Sequence, residues 1–390
     1  MLTPAQADQL VRDGVAAMQR GDGTSARRAF EQVASAGNGI APPWLLIAQA
    51  CRLQRDEDAE LAALDRLLAD QPRHLRGLIM KGDLFGRRGD LRAAHSFYRV
   101  ALGVAQNTPN LPPSLAAEAQ RIAAELQRGQ GDYRAHLDQA LAAAGFAGAA
   151  LKPRVRDAVE IASGEKQLYL QQPTSFYFPG LPQIQFYERE AFDWVPAVEA
   201  QTSAIRAELD AVLAETHDFP PYAEDEPNRP NKSHSLVDNR DWGAFHLLKG
   251  APVEPNASKC PKTIAALKAA PQPVIRGRSP MALFSLLKPG AHIFAHNGLL
   301  NTRLICHLPL IVPDGCRFRV GNEVRQWEEG KLLIFDDSIE HEAWNDGTSR
   351  RVVLLFEIWR PEIDEEERAA LTALFEAIDE FRGAPLDVSS

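Results

Sequence analysis

A thirty-four-residue internal period is the strongest constraint on what this 390-residue chain can fold into. Gly14, Gly21, Ala26 and Phe30 return with the same spacing as Gly82, Gly89, Ala94 and Tyr98, a shift of sixty-eight residues, or two periods. A unit of this length predicts antiparallel helix pairs stacked side by side, because one pair cannot bury its apolar face alone. The small residues let two helices approach, the aromatic ring fills the gap between neighbours, and Gly21 and Gly89 end the first helix of each pair. A middle copy places Trp44, Ile47, Ala48 and Cys51 on its first helix and Pro72 at its close. It lacks the glycine and carries Glu60 and Leu64 where its neighbours have alanine and an aromatic ring.

This pattern resembles the tetratricopeptide repeat, a helix-turn-helix unit of the same length. Two further amphipathic helices, about 113–128 and 131–146, are expected to cap the open end, and the alanine-rich residues 145–150 look like a boundary. Residues 1–150 are therefore expected to form the repeat array and 151–390 a second domain. Arrays of this kind bind a peptide or partner protein in a concave groove and do no chemistry themselves.

From about residue 171 prolines, aromatics and turn dipeptides replace the helical period, apart from one helix expected at 195–215. Turns at Lys288-Pro289-Gly290, Pro313-Asp314-Gly315, Gly321-Asn322, Glu329-Gly330 and Asn345-Asp346-Gly347 cut residues 281–360 into short pieces. The strands expected are 281–287, 302–311, 317–320, 324–327, 331–335 and 351–359, which suggests a sandwich or jelly-roll barrel. Period-two alternation puts Arg303, Ile305 and His307 on one face and Leu304, Cys306 and Leu308 on the other. Arg351, Val353 and Leu355 likewise share a face, so long cationic side chains point into a space otherwise walled by aliphatics.

Composition removes several classes. A net charge of -9 and a pI near 5.6 lack the basic excess that a phosphate backbone demands, so nucleic acid is not expected as a partner. The four cysteines, Cys51, Cys260, Cys306 and Cys316, have no C-x-x-C spacing and read as free thiols. The first residues lack a secretion signal and no stretch approaches ~20 apolar residues, so a cytoplasmic protein that does not engage membranes is expected.

The stretch from Ser285 to Pro361 resembles the aspartyl/asparaginyl β-hydroxylase family. Its matched runs are Pro289-Gly290-Ala291-His292, His296-Asn297-Gly298, Asn301-Thr302-Arg303-Leu304, His307-Leu308, Trp327-Glu328-Glu329-Gly330-Lys331 and Phe335-Asp336-Asp337-Ser338-Ile339-Glu340-His341-Glu342. Phe178-Pro179-Gly180-Leu181-Pro182 and Trp242 extend the likeness to about residues 171–362. The resemblance implies a double-stranded β-helix and dependence on Fe(II), 2-oxoglutarate and O2. His296 and His341 would be the iron ligands, with Gly298 where related oxygenases have a carboxylate and water in its place. Arg351 and Ser285 would bind the distal carboxylate of 2-oxoglutarate, His307 the carboxylate nearest the iron, and Arg303 the acidic or amide group of the substrate. Better-known animal members have cations at the positions of Ile305 and Leu283, which leaves the substrate open.

The implied reaction hydroxylates the β-carbon of Asp or Asn in a peptide or protein held by the repeats, with 2-oxoglutarate becoming succinate and CO2. Two alternatives stand beside it. One keeps the chemistry but takes a free or carrier-bound amino acid, or another small substrate such as an acyl chain. The other is a non-catalytic interaction protein with a degenerate barrel. His292 reads as a packing residue and Arg350 as solvent-facing. Trp327 and Trp344 read as packing residues or as walls of a substrate path. Asp336, Asp337 and Glu340 read as solvated carboxylates before a turn, and the acidic residues 364–367 as the start of a final helix.

Overall fold

The first six helices pair in the register that the period requires. In a computed structural model, which describes residues 2–37, 39–216, 218–222 and 239–382, they are α1 (Pro4–Gln19), α2 (Gly23–Ala34), α3 (Trp44–Leu53), α4 (Glu57–Asp70), α5 (Leu75–Arg87) and α6 (Leu91–Gln106). Gly14 lies so close beneath Phe30 that a β-carbon there would sit 2.4 Å from the ring, and Gly82 repeats this contact with Tyr98 at 2.4 Å. Gly21 and Gly89 turn the chain with φ of 79° and 80°. Arg55 occupies the same place in the middle repeat and adopts φ 59° without being glycine. Glu60, where the neighbouring repeats have alanine, is buried and pairs with Arg87.

One long helix, α7 (Pro113–Ala143), stands where two were expected. Gly129, inside this helix, serves close packing: a β-carbon there would lie 2.2 Å from the His95 ring. A further helix, α8 (Pro153–Ala162), follows, and the chain divides into compact units 1–165 and 166–390. The alanine-rich residues 145–150 therefore form a turn inside the first unit, between two helices.

In the second unit the elements are β1 (Phe186–Tyr187), α9 (Val195–Glu199), α10 (Thr202–Glu215), β2 (Trp242–Lys249), α11 (Asn256–Lys259), α12 (Pro261–Leu267), β3 (Met281–Leu287), β4 (His292–His296), β5 (Arg303–Ile311), β6 (Cys316–Val320), β7 (Glu323–Arg325), β8 (Leu333–Phe335), β9 (His341–Asn345), β10 (Arg351–Trp359) and α13 (Glu365–Arg382). The helix expected at 195–215 is thus interrupted between α9 and α10. Among the described residues the strands make a six-stranded sheet, β1-β8-β5-β10-β3-β2, and a four-stranded sheet, β4-β9-β6-β7. Together they form a double-stranded β-helix, so the chain is a multidomain α+β protein: a tetratricopeptide-like helical array followed by a jelly roll.

Alternation sorts the side chains as the sequence implies. Leu304, Cys306, Leu308, Val352, Leu354 and Phe356 pack against residues of α9, α10 and α12. Leu283, Ile305, Val353 and Leu355 face Ile293, Phe318 and Ala343 of the smaller sheet. Between Ile293↔Ala343 and His296↔His341, β4 uses three residues where β9 uses two. This bulge turns His296 onto the same face as Ile293; strict alternation would have sent it to the opposite one.

The carboxylates before His341 are not solvated as expected. Asp336 is fully buried, with Arg360 Nη1 at 2.7 Å and Gln171 Nε2 at 2.7 Å on one oxygen and Ser338 N at 3.0 Å and Oγ at 2.6 Å on the other. Asp337 is also buried, whereas Glu340 is partly exposed and pairs with Arg319. Among the described residues no helix is long and apolar enough to cross a membrane.

The left-handed backbone at Arg55 has a measurable cost. Arg55→Gly should raise the unfolding free energy by about 1 kcal/mol, since glycine removes the steric penalty of positive φ. Gly82→Ala should lower it by about 1–3 kcal/mol by overpacking against Tyr98. Urea titration followed by circular dichroism measures both, and a neutral or destabilising Arg55→Gly would contradict this account of the repeat.

Candidate active site

The bulge in β4 sets His296 directly across from His341, with ring centroids 4.1 Å apart. Each ring Nδ1 meets a carbonyl two residues back on its own chain, His296 that of Phe294 at 2.8 Å and His341 that of Ile339 at 3.0 Å. A carbonyl only accepts, so each Nδ1 carries a proton, and Nε2 is the nitrogen that offers a lone pair when the ring is neutral. Burial, reinforced by His296, holds the His341 pKa well below its ordinary value, so its imidazole is neutral. Two imidazoles presented this way can hold a divalent metal ion. Among the described residues no group of three or more His, Cys, Asp or Glu is placed to do so, and the histidines stand as a pair.

A second set of groups lines the same space from the larger sheet. Arg351, 1% exposed, lies over the Trp327 ring at 4.7 Å and reaches the Ser285 carbonyl at 3.4 Å. Its Nε has no hydrogen-bond partner, and burial pushes the guanidinium down to about 10. Such a group is short of an anion. His307 Nδ1 accepts from Trp327 Nε1 at 3.3 Å, which leaves Nε2–H as a donor, and burial with the nearby Arg351 keeps this ring neutral. The Ser285 hydroxyl accepts from Trp242 Nε1 at 3.1 Å and retains its own proton to donate. Trp242 stacks on Tyr222 at 3.9 Å and lies 6.2 Å from His296. Ring contacts of Phe318 and Phe335 with both His307 and His341 close the circuit, so the residues singled out from sequence share one space.

Arg303 points inward as alternation requires, but it is not bare. Its Nη1 meets Glu357 Oε2 at 2.6 Å and its Nη2 lies 3.5 Å from Asp337 Oδ2. Burial alone would lower this guanidinium, yet the charges of Asp337 and Glu357 outweigh it and hold the pKa above its ordinary value. Asp337 fills the space over Gly298, where a β-carbon would come within 2.1 Å of its carboxylate. Its own pKa is raised to about 7, chiefly by burial and against the pull of Arg303. Glu357 has no counterpart among the residues singled out from sequence. It shares the odd-numbered, inward parity of Arg351, and a lone carboxylate on that face is the one signal that could have found it. His292, by contrast, stacks on Trp344 at 4.9 Å and pairs with Glu342, away from the histidine pair, as a packing residue should.

Residues 199–361 match the sequence profile of the aspartyl/asparaginyl beta-hydroxylase family. The mouse aspartyl/asparaginyl beta-hydroxylase is 39% identical over 145 residues, 37% of this chain and 19% of that protein. An ornithine lipid ester-linked acyl 2-hydroxylase of Rhizobium tropici is 40% identical over 179 residues, 45% of this chain and 60% of its own length. The human aspartate beta-hydroxylase domain-containing protein 2 is 31% identical over 211 residues, 53% of this chain and 55% of its own length. The chain thus spans less than two thirds of each of these relatives. Residues 199–361, which hold the paired histidines, Arg303, His307 and Arg351, are thus the part of the chain that is similar to the aspartyl/asparaginyl beta-hydroxylase family.

Proposed function

We propose that this protein is an Fe(II)- and 2-oxoglutarate-dependent hydroxylase acting on an aspartyl or asparaginyl residue of a peptide or protein. One observation carries the reading: two imidazoles whose Nδ1 atoms are held by local carbonyls face each other beside a buried arginine that has no carboxylate partner among the described residues. This donor set fits a divalent metal next to a dicarboxylate cosubstrate, and a barrel that had lost catalysis would have no use for an uncompensated buried cation.

In this reading His296 and His341 hold the iron, and Arg351 receives the distal carboxylate of 2-oxoglutarate, because a guanidinium fork matches a carboxylate and stays charged even at a pKa of about 10. The Ser285 hydroxyl donates to that carboxylate. His307 Nε2–H donates to the carboxylate nearer the iron. Leu283, Ile305, Val353 and Leu355 exclude water from the space between the sheets. When bound together with O2, iron and 2-oxoglutarate supply an oxidant able to hydroxylate an unactivated carbon, and the cosubstrate leaves as succinate and CO2.

The helical array supports a peptide substrate. Its groove, of about 960 Å3, is lined by Arg52, Arg76, Asp83, Tyr98, Glu118 and Arg121, a mixture of forked donors and carboxylates suited to an extended chain. A second reading keeps the chemistry on a small or acyl substrate. It is favoured by the apolar Leu283 and Ile305 in the barrel and by the printed activity of the Rhizobium relative.

Replacing both His296 and His341 by alanine should abolish 2-oxoglutarate-dependent succinate formation, a loss of at least about 100-fold. Succinate formation within three-fold of the parent would refute the assignment. Arg52→Glu with Arg121→Glu should raise KM for a peptide substrate about ten-fold with kcat unchanged, as expected when uniform binding is removed. Unaltered KM would favour the small-substrate reading.

A further inference from the structure

Four arginines are buried among the described residues: Arg278, Arg303, Arg351 and Arg360. Arg278 is paired with Asp379 and Arg360 with Asp336, and in the reading above Arg351 takes the cosubstrate. Arg303 alone is left to meet the substrate, and it already faces two carboxylates, Glu357 at 2.6 Å and Asp337 at 3.5 Å. One guanidinium facing two carboxylates leaves this cluster no positive charge to spare before any ligand arrives. A substrate carboxylate would be a third carboxylate around one guanidinium, in a space from which water is excluded.

The same cluster has two unmet hydrogen-bonding needs. Arg303 Nε is a buried donor without a partner, and Asp337 Oδ1 is a buried acceptor without one. A carboxylate offers acceptors only, whereas a primary amide offers one acceptor and two donors on a single plane. Asp337 is held over Gly298, two residues from His296, so the cluster adjoins the metal-holding pair. Leu283 and Ile305, on the inner face of the barrel, add no charge that would change this balance.

Building on the hydroxylase reading, we infer that the side chain oxidised here carries a primary amide, as in asparagine, and that aspartate is rejected. The amide oxygen accepts from Arg303 and its NH2 donates to Asp337. Glu357 fixes the guanidinium and neutralises it, so that Arg303 acts as a donor to a neutral group. A site built to hydrogen-bond one partner of a near-isosteric pair discriminates far more strongly than an apolar pocket can.

The test uses the full chain, loaded with iron and 2-oxoglutarate, and two peptide pools that differ only in a fixed central Asn or Asp. Addition of one oxygen atom is read by mass spectrometry and succinate by a coupled assay. The Asn pool should gain oxygen at least about ten-fold faster than the Asp pool. Asp337→Asn, which replaces one acceptor oxygen by an NH2 donor and removes the negative charge, should narrow that ratio to within about three-fold. Equal or faster oxidation of the Asp pool would overturn the inference. So would an unchanged ratio in Asp337→Asn, or a failure of both pools while 2-oxoglutarate is still converted to succinate. Absence of any succinate would instead overturn the hydroxylase reading itself.

Discussion

Asp336 and Arg360, both with fully buried side chains, tie several pieces of chain to one point. Through Gln171 and Asn301 the pair reaches the strap ahead of the barrel and the start of β5. Through Tyr187 and the Pro182 carbonyl it reaches β1, and through Ser338 it shapes the loop that delivers His341. A buried ion pair earns its place only when its remaining hydrogen-bonding positions are filled, and here both carboxylate oxygens are. Removing one partner would leave an uncompensated charge, costing about 3–5 kcal/mol. The geometry of the histidine pair rests on this lock from one side and on the bulge in β4 from the other.

Charge within the barrel is arranged as a gradient of need. Arg360 is fully matched, Arg303 is over-matched by two carboxylates, and Arg351 is matched by none. Because a buried charge without a partner is so costly, the position where the fold tolerates one is the position where a ligand is expected to supply it. Local carbonyls likewise orient the imidazoles by taking the Nδ1 protons, which is the arrangement that the proposed metal binding through Nε2 requires.

Much of this was legible in the chain itself. Periodicity placed the repeats because Gly14 and Gly82 each record a ring that must lie on the backbone, and alternation gave the inward faces of β5 and β10 correctly. The strands that carry the two histidines were not resolved as strands, since β4 is interrupted by its bulge and β9 mixes His, Glu, Trp and Asn with no apolar run. Asp336 and Asp337 were misread because their burial depends on Arg360 and Arg303, residues distant in sequence that nothing local announces. The single helix α7 was read as two, and the His95 ring that packs on Gly129 within it lies on another helix.

The proposed function rests on Arg351, the unmet cation beside the paired histidines. Anaerobic titration of the protein with Fe(II) and 2-oxoglutarate, followed through the visible metal-to-cosubstrate charge-transfer band, tests it directly. The band should appear with one equivalent of each in the parent protein, while Arg351→Met should need at least about ten-fold more 2-oxoglutarate, in keeping with the loss of a buried charge-assisted contact. No band in the parent, or an unchanged midpoint in Arg351→Met, would contradict it.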